Sequence, residues 1–67
     1  MANIYDENGN YLAEGLQGCN ECDEAFNAAV AFAKQRKNYV FLEDDDGEWF
    51  VNKHGHRECH YQYKGNK

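Results

Sequence analysis

Two periodicities run along this chain, one helical and one of strands. Between residues 20 and 38, in "NECDEAFNAAVAFAKQRKN", Cys22, Ala25, Phe26, Ala29, Val30 and Ala33 recur three and four apart. That spacing lays them on one stripe of an α-helix. Asn20 is the expected N-cap and Asp23 sits three residues on, as in a capping box. Acids Glu21, Asp23 and Glu24 open the segment and Lys34, Arg36 and Lys37 close it, so both ends complement the helix dipole.

On either side the pattern shortens to strands and turns. "NIYDENGNYLAEG" predicts a hairpin around Asn8-Gly9, a dipeptide that tolerates the positive φ of a type I′ turn. Ile4, Tyr5, Tyr11 and Leu12 are its residues placed to reach a core. "NYVFLEDDDGEWFVNK" predicts a second hairpin, with strands Tyr39–Glu43 and Glu48–Lys53 joined at Asp46-Gly47. "KHGHRECHYQYK" extends the sheet beyond a turn at His54-Gly55. In it Cys59, Tyr61 and Tyr63 alternate with His60 and Gln62, which predicts a buried Cys59 beside the two tyrosines. The last three residues read as a tail. The expected fold class is α+β, one helix packed on an antiparallel sheet in the order β-β-α-β-β-β, as a single small domain over residues 1–67.

Sixty-seven residues allow only a thin core. The ten aromatic residues are an economical way to fill it. Lys and Arg total 7 against 12 for Asp and Glu, a net charge of −5. A broad nucleic-acid footprint needs a basic face, so direct nucleic-acid binding is not expected, whereas a basic partner is. Residues 1–33 hold six acids without a single Lys or Arg, and "EDDDGE" packs five more into residues 43–48. No apolar run has the length of a membrane span or a signal peptide, so a cytoplasmic protein is expected.

Catalytic equipment is thin. Serine and threonine are absent, which removes hydroxyl nucleophiles of that kind. The six glycines lie singly at turns rather than in a phosphate-binding loop. The acids lie in no evident apolar pocket that would tune one for proton transfer. No cofactor is expected from this reading.

The cysteines and histidines keep a metal alternative open. Cys19 and Cys22 form a C-x2-C pair, and "HGHRECH" adds His54, His56, Cys59 and His60. Zinc needs four such ligands converging in a tetrahedron. Cys19, Cys22, Cys59 and His56 are the alternative set. Against it, the helical phase turns Cys22 inward, where cysteine behaves as a small hydrophobe. A redox pair at a helix N-terminus is a further option, but Glu21, Asp23 and Glu24 would oppose a thiolate there.

The acidic turn has two readings, a solvated loop or a contact surface. As a surface, Asp44, Asp45, Asp46 and Glu48 would meet basic groups that normally hold phosphates, with Trp49 as the anchor.

The second half of the chain, roughly residues 25–62, resembles small phage anti-CRISPR proteins, in particular one type I-F inhibitor group. The resemblance rests on a helix with spaced alanines, a hairpin carrying Gly47 and Trp49, a turn with Gly55 and Arg57, and a short strand near Cys59. It implies a non-enzymatic inhibitor, acting stoichiometrically on a host protein or nucleoprotein complex that handles nucleic acid. The resemblance carries over no individual binding residue. The other readings are a small zinc-stabilised module and a structural subunit that forms a homodimer through an open sheet edge.

Overall fold

The computed structural model describes residues 1–18 and 23–62, apart from the side chain of Gln62. Cys19, Asn20, Cys22, Tyr63 and the tail lie outside the described residues. The elements are β1 (Ala2–Tyr5), β2 (Tyr11–Leu16), α1 (Glu24–Arg36), β3 (Val40–Asp44), β4 (Gly47–Val51) and β5 (Arg57–Gln62). The five strands form one antiparallel sheet in the order β2-β1-β3-β4-β5, with the helix entered between β2 and β3. The expected class and element order hold.

Strand alternation sorts the side chains onto two unlike faces. Ala2 and Ile4 of β1, Val40 and Leu42 of β3 and Val51 of β4 point to the helix and are fully buried. Ala25, Phe26 and Ala29 meet them from the helix with Val30 packed alongside, and Ala33 is buried as well. Three of the four buried helix residues are alanines, which keeps the helix close to the sheet. A single helix of 13 residues covers one face only.

The helix begins later than the capping-box reading places it. Its N-cap is Asp23 rather than Asn20, and the Asp23 side chain makes no capping hydrogen bond. The start is tied instead to the end of β2. Ala25 N–H donates to the Gln17 carbonyl at 3.1 Å, and Gln17 N–H donates to the Glu24 carboxylate at 3.0 Å. The helix closes through Lys37 in the left-handed conformation (φ 59°). Asn38 N–H then reaches back at 3.2 Å to the Ala33 carbonyl, which also accepts the Lys37 N–H.

Two loops share one design. In residues 6–10, Asp6 N–H donates to the Asn10 carbonyl at 2.9 Å and Gly9 N–H to the Asp6 carbonyl at 3.0 Å. The Asp6 carboxylate accepts the N–H groups of Asn8 and Asn10, each at 2.9 Å. In residues 52–56, Asn52 repeats every one of these bonds with His56, Gly55 and His54. Both loops turn on a glycine at positive φ, 85° at Gly9 and 81° at Gly55. The first is therefore a three-residue loop and not the two-residue type I′ turn expected at Asn8-Gly9. Asn8 does not have the positive φ such a turn needs. The aspartate carboxylate, by collecting two N–H groups, favours the longer form. Arg36 at the end of the helix grips this loop, 3.1 Å from Glu7 and 3.8 Å from Asp6. The middle hairpin turns at Asp45-Asp46, one residue before the expected Asp46-Gly47, since Asp44 already pairs with Gly47.

Both edge strands are bulged. In β2 the pairing with β1 slips twice, between Ala2 and Ile4 and between Ile4 and Tyr5. In β5 Tyr61 opposes Glu48 while Cys59 opposes Trp49, so His60 is the extra residue. That bulge breaks the alternation expected for Cys59 and Tyr61. Cys59 is exposed rather than buried, and Tyr61 is 57% exposed.

Candidate functional site

The face away from the helix is the most distinctive surface of the molecule. Its register sets two rows of side chains across the sheet. The first is Tyr11 opposite Tyr5, Tyr5 opposite Phe41, Phe41 opposite Phe50 and Phe50 opposite Glu58. Tyr5 and Phe41 stack at 5.0 Å with planes 14° apart. Phe41 and Phe50 lie 5.1 Å apart, and Tyr11 meets the Tyr5 ring edge-on at 5.7 Å. Tyr39, just ahead of β3, stands perpendicular to both Phe41 and Phe50. The bulge in β5 brings His60 onto this layer, 4.7 Å from Phe50 and 5.3 Å from Phe41.

The second row lies beside the first and is acidic. Asn3 opposes Glu43, Glu43 opposes Glu48, and Glu48 opposes Tyr61. Like charges directly opposite on one face of a sheet destabilise it. Here each carboxylate takes neutral donors. The Tyr5 hydroxyl donates to Glu48, while the Tyr11 hydroxyl and the Asn3 amide donate to Glu43, each at 3.4 Å. The Glu43 charge in turn pushes the Tyr11 hydroxyl pKa above its ordinary value.

At the β5 end the aromatic row opens into a groove of about 360 Å³, lined by Tyr39, Phe50, Asn52, His56 and Glu58. Its walls are rings, and Glu58 at its side is exposed.

The residues expected at a contact surface are divided by the sheet. Asp45 and Asp46 are exposed at the turn, and Asp44 accepts the Asp46 N–H at 2.8 Å. Glu48 joins the acidic row. Trp49 lies on the helix side, packed against the core, with the Arg57 guanidinium 5.2 Å from its ring centroid. Trp49 and Glu48 therefore face opposite ways. Of the alternative metal set, Cys19 and Cys22 lie outside the described residues, Cys59 is exposed on β5 and His56 lines the groove. Among the described residues no three His, Cys, Asp or Glu side chains are grouped to hold a metal ion. Nor is any helix among them long and apolar enough to cross a membrane.

Sequence reasoning missed the ring layer itself, namely Tyr5, Tyr11, Tyr39, Phe41, Phe50 and His60. A signal was present. In "YVFLE" the aromatic and aliphatic residues alternate, and a chain with one helix can cover only one of those two faces.

What this face offers a ligand is flat π surface next to negative charge. Aromatic faces attract cations, and guanidinium groups more than any other protein cation stack on them. Carboxylates a few ångströms away add charge-assisted hydrogen bonds. No protein-family model, curated protein or solved structure matches the chain.

Proposed function

We propose that this chain is a non-enzymatic binding domain whose helix-free face occupies a basic surface on a host protein or nucleoprotein complex. The surface is of the kind that otherwise holds nucleic acid, and the domain blocks it stoichiometrically. The observation that carries this reading is the pair of adjacent rows, rings from Tyr11 to Phe50 and carboxylates at Glu43 and Glu48. A single strand of nucleic acid presents flat rings beside a line of negative charge. Proteins that hold such strands answer with basic grooves and stacking side chains. A face with rings and carboxylates side by side meets the same demand. The net charge of −5 adds long-range attraction to a basic target. The acidic turn at Asp44, Asp45 and Asp46 would widen this field.

The test is capture of the partner from a host that carries defence and nucleic-acid-handling complexes, followed by a displacement assay. The purified partner, loaded with labelled oligonucleotide, should release it at one domain per site. A Glu43→Gln/Glu48→Gln variant should release less, and an Asp44→Asn/Asp45→Asn/Asp46→Asn variant should show an intermediate loss. A partner that keeps its oligonucleotide at saturating domain, or equal displacement by the first variant, would overturn the reading.

A further inference from the structure

We infer that the groove at the end of the aromatic row is a guanidinium pocket, built to take one arginine side chain of the partner. This rests on the reading above and adds a specific contact to it. Tyr39 and Phe50 stand at 90° with ring centroids 5.3 Å apart, so the two rings make a right-angled corner. Phe50 and Glu58 face each other across β4 and β5, which sets a carboxylate beside that corner. Glu58, Tyr39 and His56 are all exposed, so the groove is open to a side chain arriving from outside.

The groove's chemistry selects among ligands. An anion would meet Glu58 and the acidic row beyond it. An aliphatic chain would leave the carboxylate without a partner. An ammonium is compact and strongly hydrated and uses a ring wall poorly, whereas a guanidinium is planar, weakly hydrated and presents N–H groups in its plane. It can lie against one ring while its edge donates two parallel hydrogen bonds to a carboxylate. A nucleobase would fit the corner, but its phosphates would be set against Glu43, Glu48 and Glu58. Asn52 is a fixed part of the lining, because its side chain is committed to the N–H groups of His54 and His56 at 2.9 and 3.0 Å.

The experiment is a titration of the intact, isotope-labelled chain followed by amide chemical shifts. The probes are capped Gly-Arg-Gly, capped Gly-Lys-Gly and a short thymidine oligonucleotide. The arginine peptide should shift Tyr39, Phe50, His56 and Glu58 and bind about threefold or more tightly than the lysine peptide. Glu58→Gln and Tyr39→Ala should each weaken it about fivefold, as loss of an exposed charge-assisted contact or a ring wall does. Both positions are exposed, and an unchanged spectrum elsewhere shows that the variants fold. Shifts confined to the rows around Glu43 and Glu48, or undiminished binding by Glu58→Gln, overturn the pocket and leave the basic-partner reading standing. Shifts of the groove residues by the oligonucleotide overturn the pocket as well. No shift with either peptide overturns both.

Discussion

Replacing Glu43 by Gln should make this protein more stable. The register sets Glu43 directly opposite Glu48 on β4, and side chains in such a pair start from Cβ atoms about 4.5–5.5 Å apart. Two unit charges about 6 Å apart repel by about 0.7 kcal/mol in water and by more where the protein lowers the local dielectric. Measured cross-strand pairs span about 0.2–1 kcal/mol. Glutamine keeps an oxygen for the Tyr11 hydroxyl and the Asn3 amide, so those two long bonds, both 3.4 Å, are not forfeited. A gain of about 0.5 kcal/mol is expected, or a rise of roughly 2–4 °C in Tm for a domain of this size. Urea titrations in low salt and in 0.5 M salt separate this cause from others. The advantage of the variant should shrink in high salt, because the screening length falls below the carboxylate separation. A second readout is the Tyr11 hydroxyl, whose pKa is raised first by the Glu43 charge. Its ultraviolet titration should move down toward the ordinary phenol value in the variant. A variant that loses stability, or whose gain is the same in both salts, would refute the reasoning. A loss would mean that the carboxylate supports the fold, and a salt-independent gain that the repulsion is not its cause.

Two further predictions concern the fold that holds this face. Leu42 is fully buried at the centre of the sheet under the helix, so Leu42→Ala should cost about 2–5 kcal/mol, against a total of about 3–10 kcal/mol for a chain of this length; a urea midpoint near the wild-type value would contradict the assigned core. The loop latch should be acid-sensitive. The Asp6 pKa is lowered, first by the Asn10 N–H, and the Glu7 pKa is lowered, first by the Arg36 guanidinium. Folded values below the unfolded ones mean a contribution that is complete above about pH 5 and is lost as pH falls through the folded values. Arg36→Gln should therefore be less stable than wild type at pH 7 and approach it in acid; a gap that stays constant down to pH 2 would show that the ion pair does not contribute.

The sequence carried the element order and the helix stripe in plain view, because both rest on local periodicity. Ala25, Phe26, Ala29 and Ala33 are buried as their spacing predicts. The misplaced details all depend on one side chain or one slip in register. Asp6 could not be known to gather two N–H groups and lengthen its turn. The bulge at His60 could not be read from "ECHYQ", since an extra residue leaves composition untouched while reversing which side chains share a face. Trp49 looked like an interface anchor because it adjoins the acids in sequence. One step along a strand is half a turn in space, so adjacency along β4 is what separates it from Glu48. The candidate face became legible only once the single helix was assigned to the aliphatic side.

The sheet is sewn from two local pieces, the β1–β2 hairpin and the β3–β4–β5 meander, and in the sheet they meet only where β1 pairs with β3. Within each piece neighbouring strands are consecutive in the chain, whereas partners such as Asn3 and Glu43 are 40 residues apart. Closing so long a loop is the slow entropic step, and hairpins form well before it. The stacked pair that straddles this join is Tyr5 on Phe41, at the centre of the ring row. Trimming either ring should slow refolding more than it speeds unfolding. The ring row of the helix-free face thus spans the join between the chain's two local pieces.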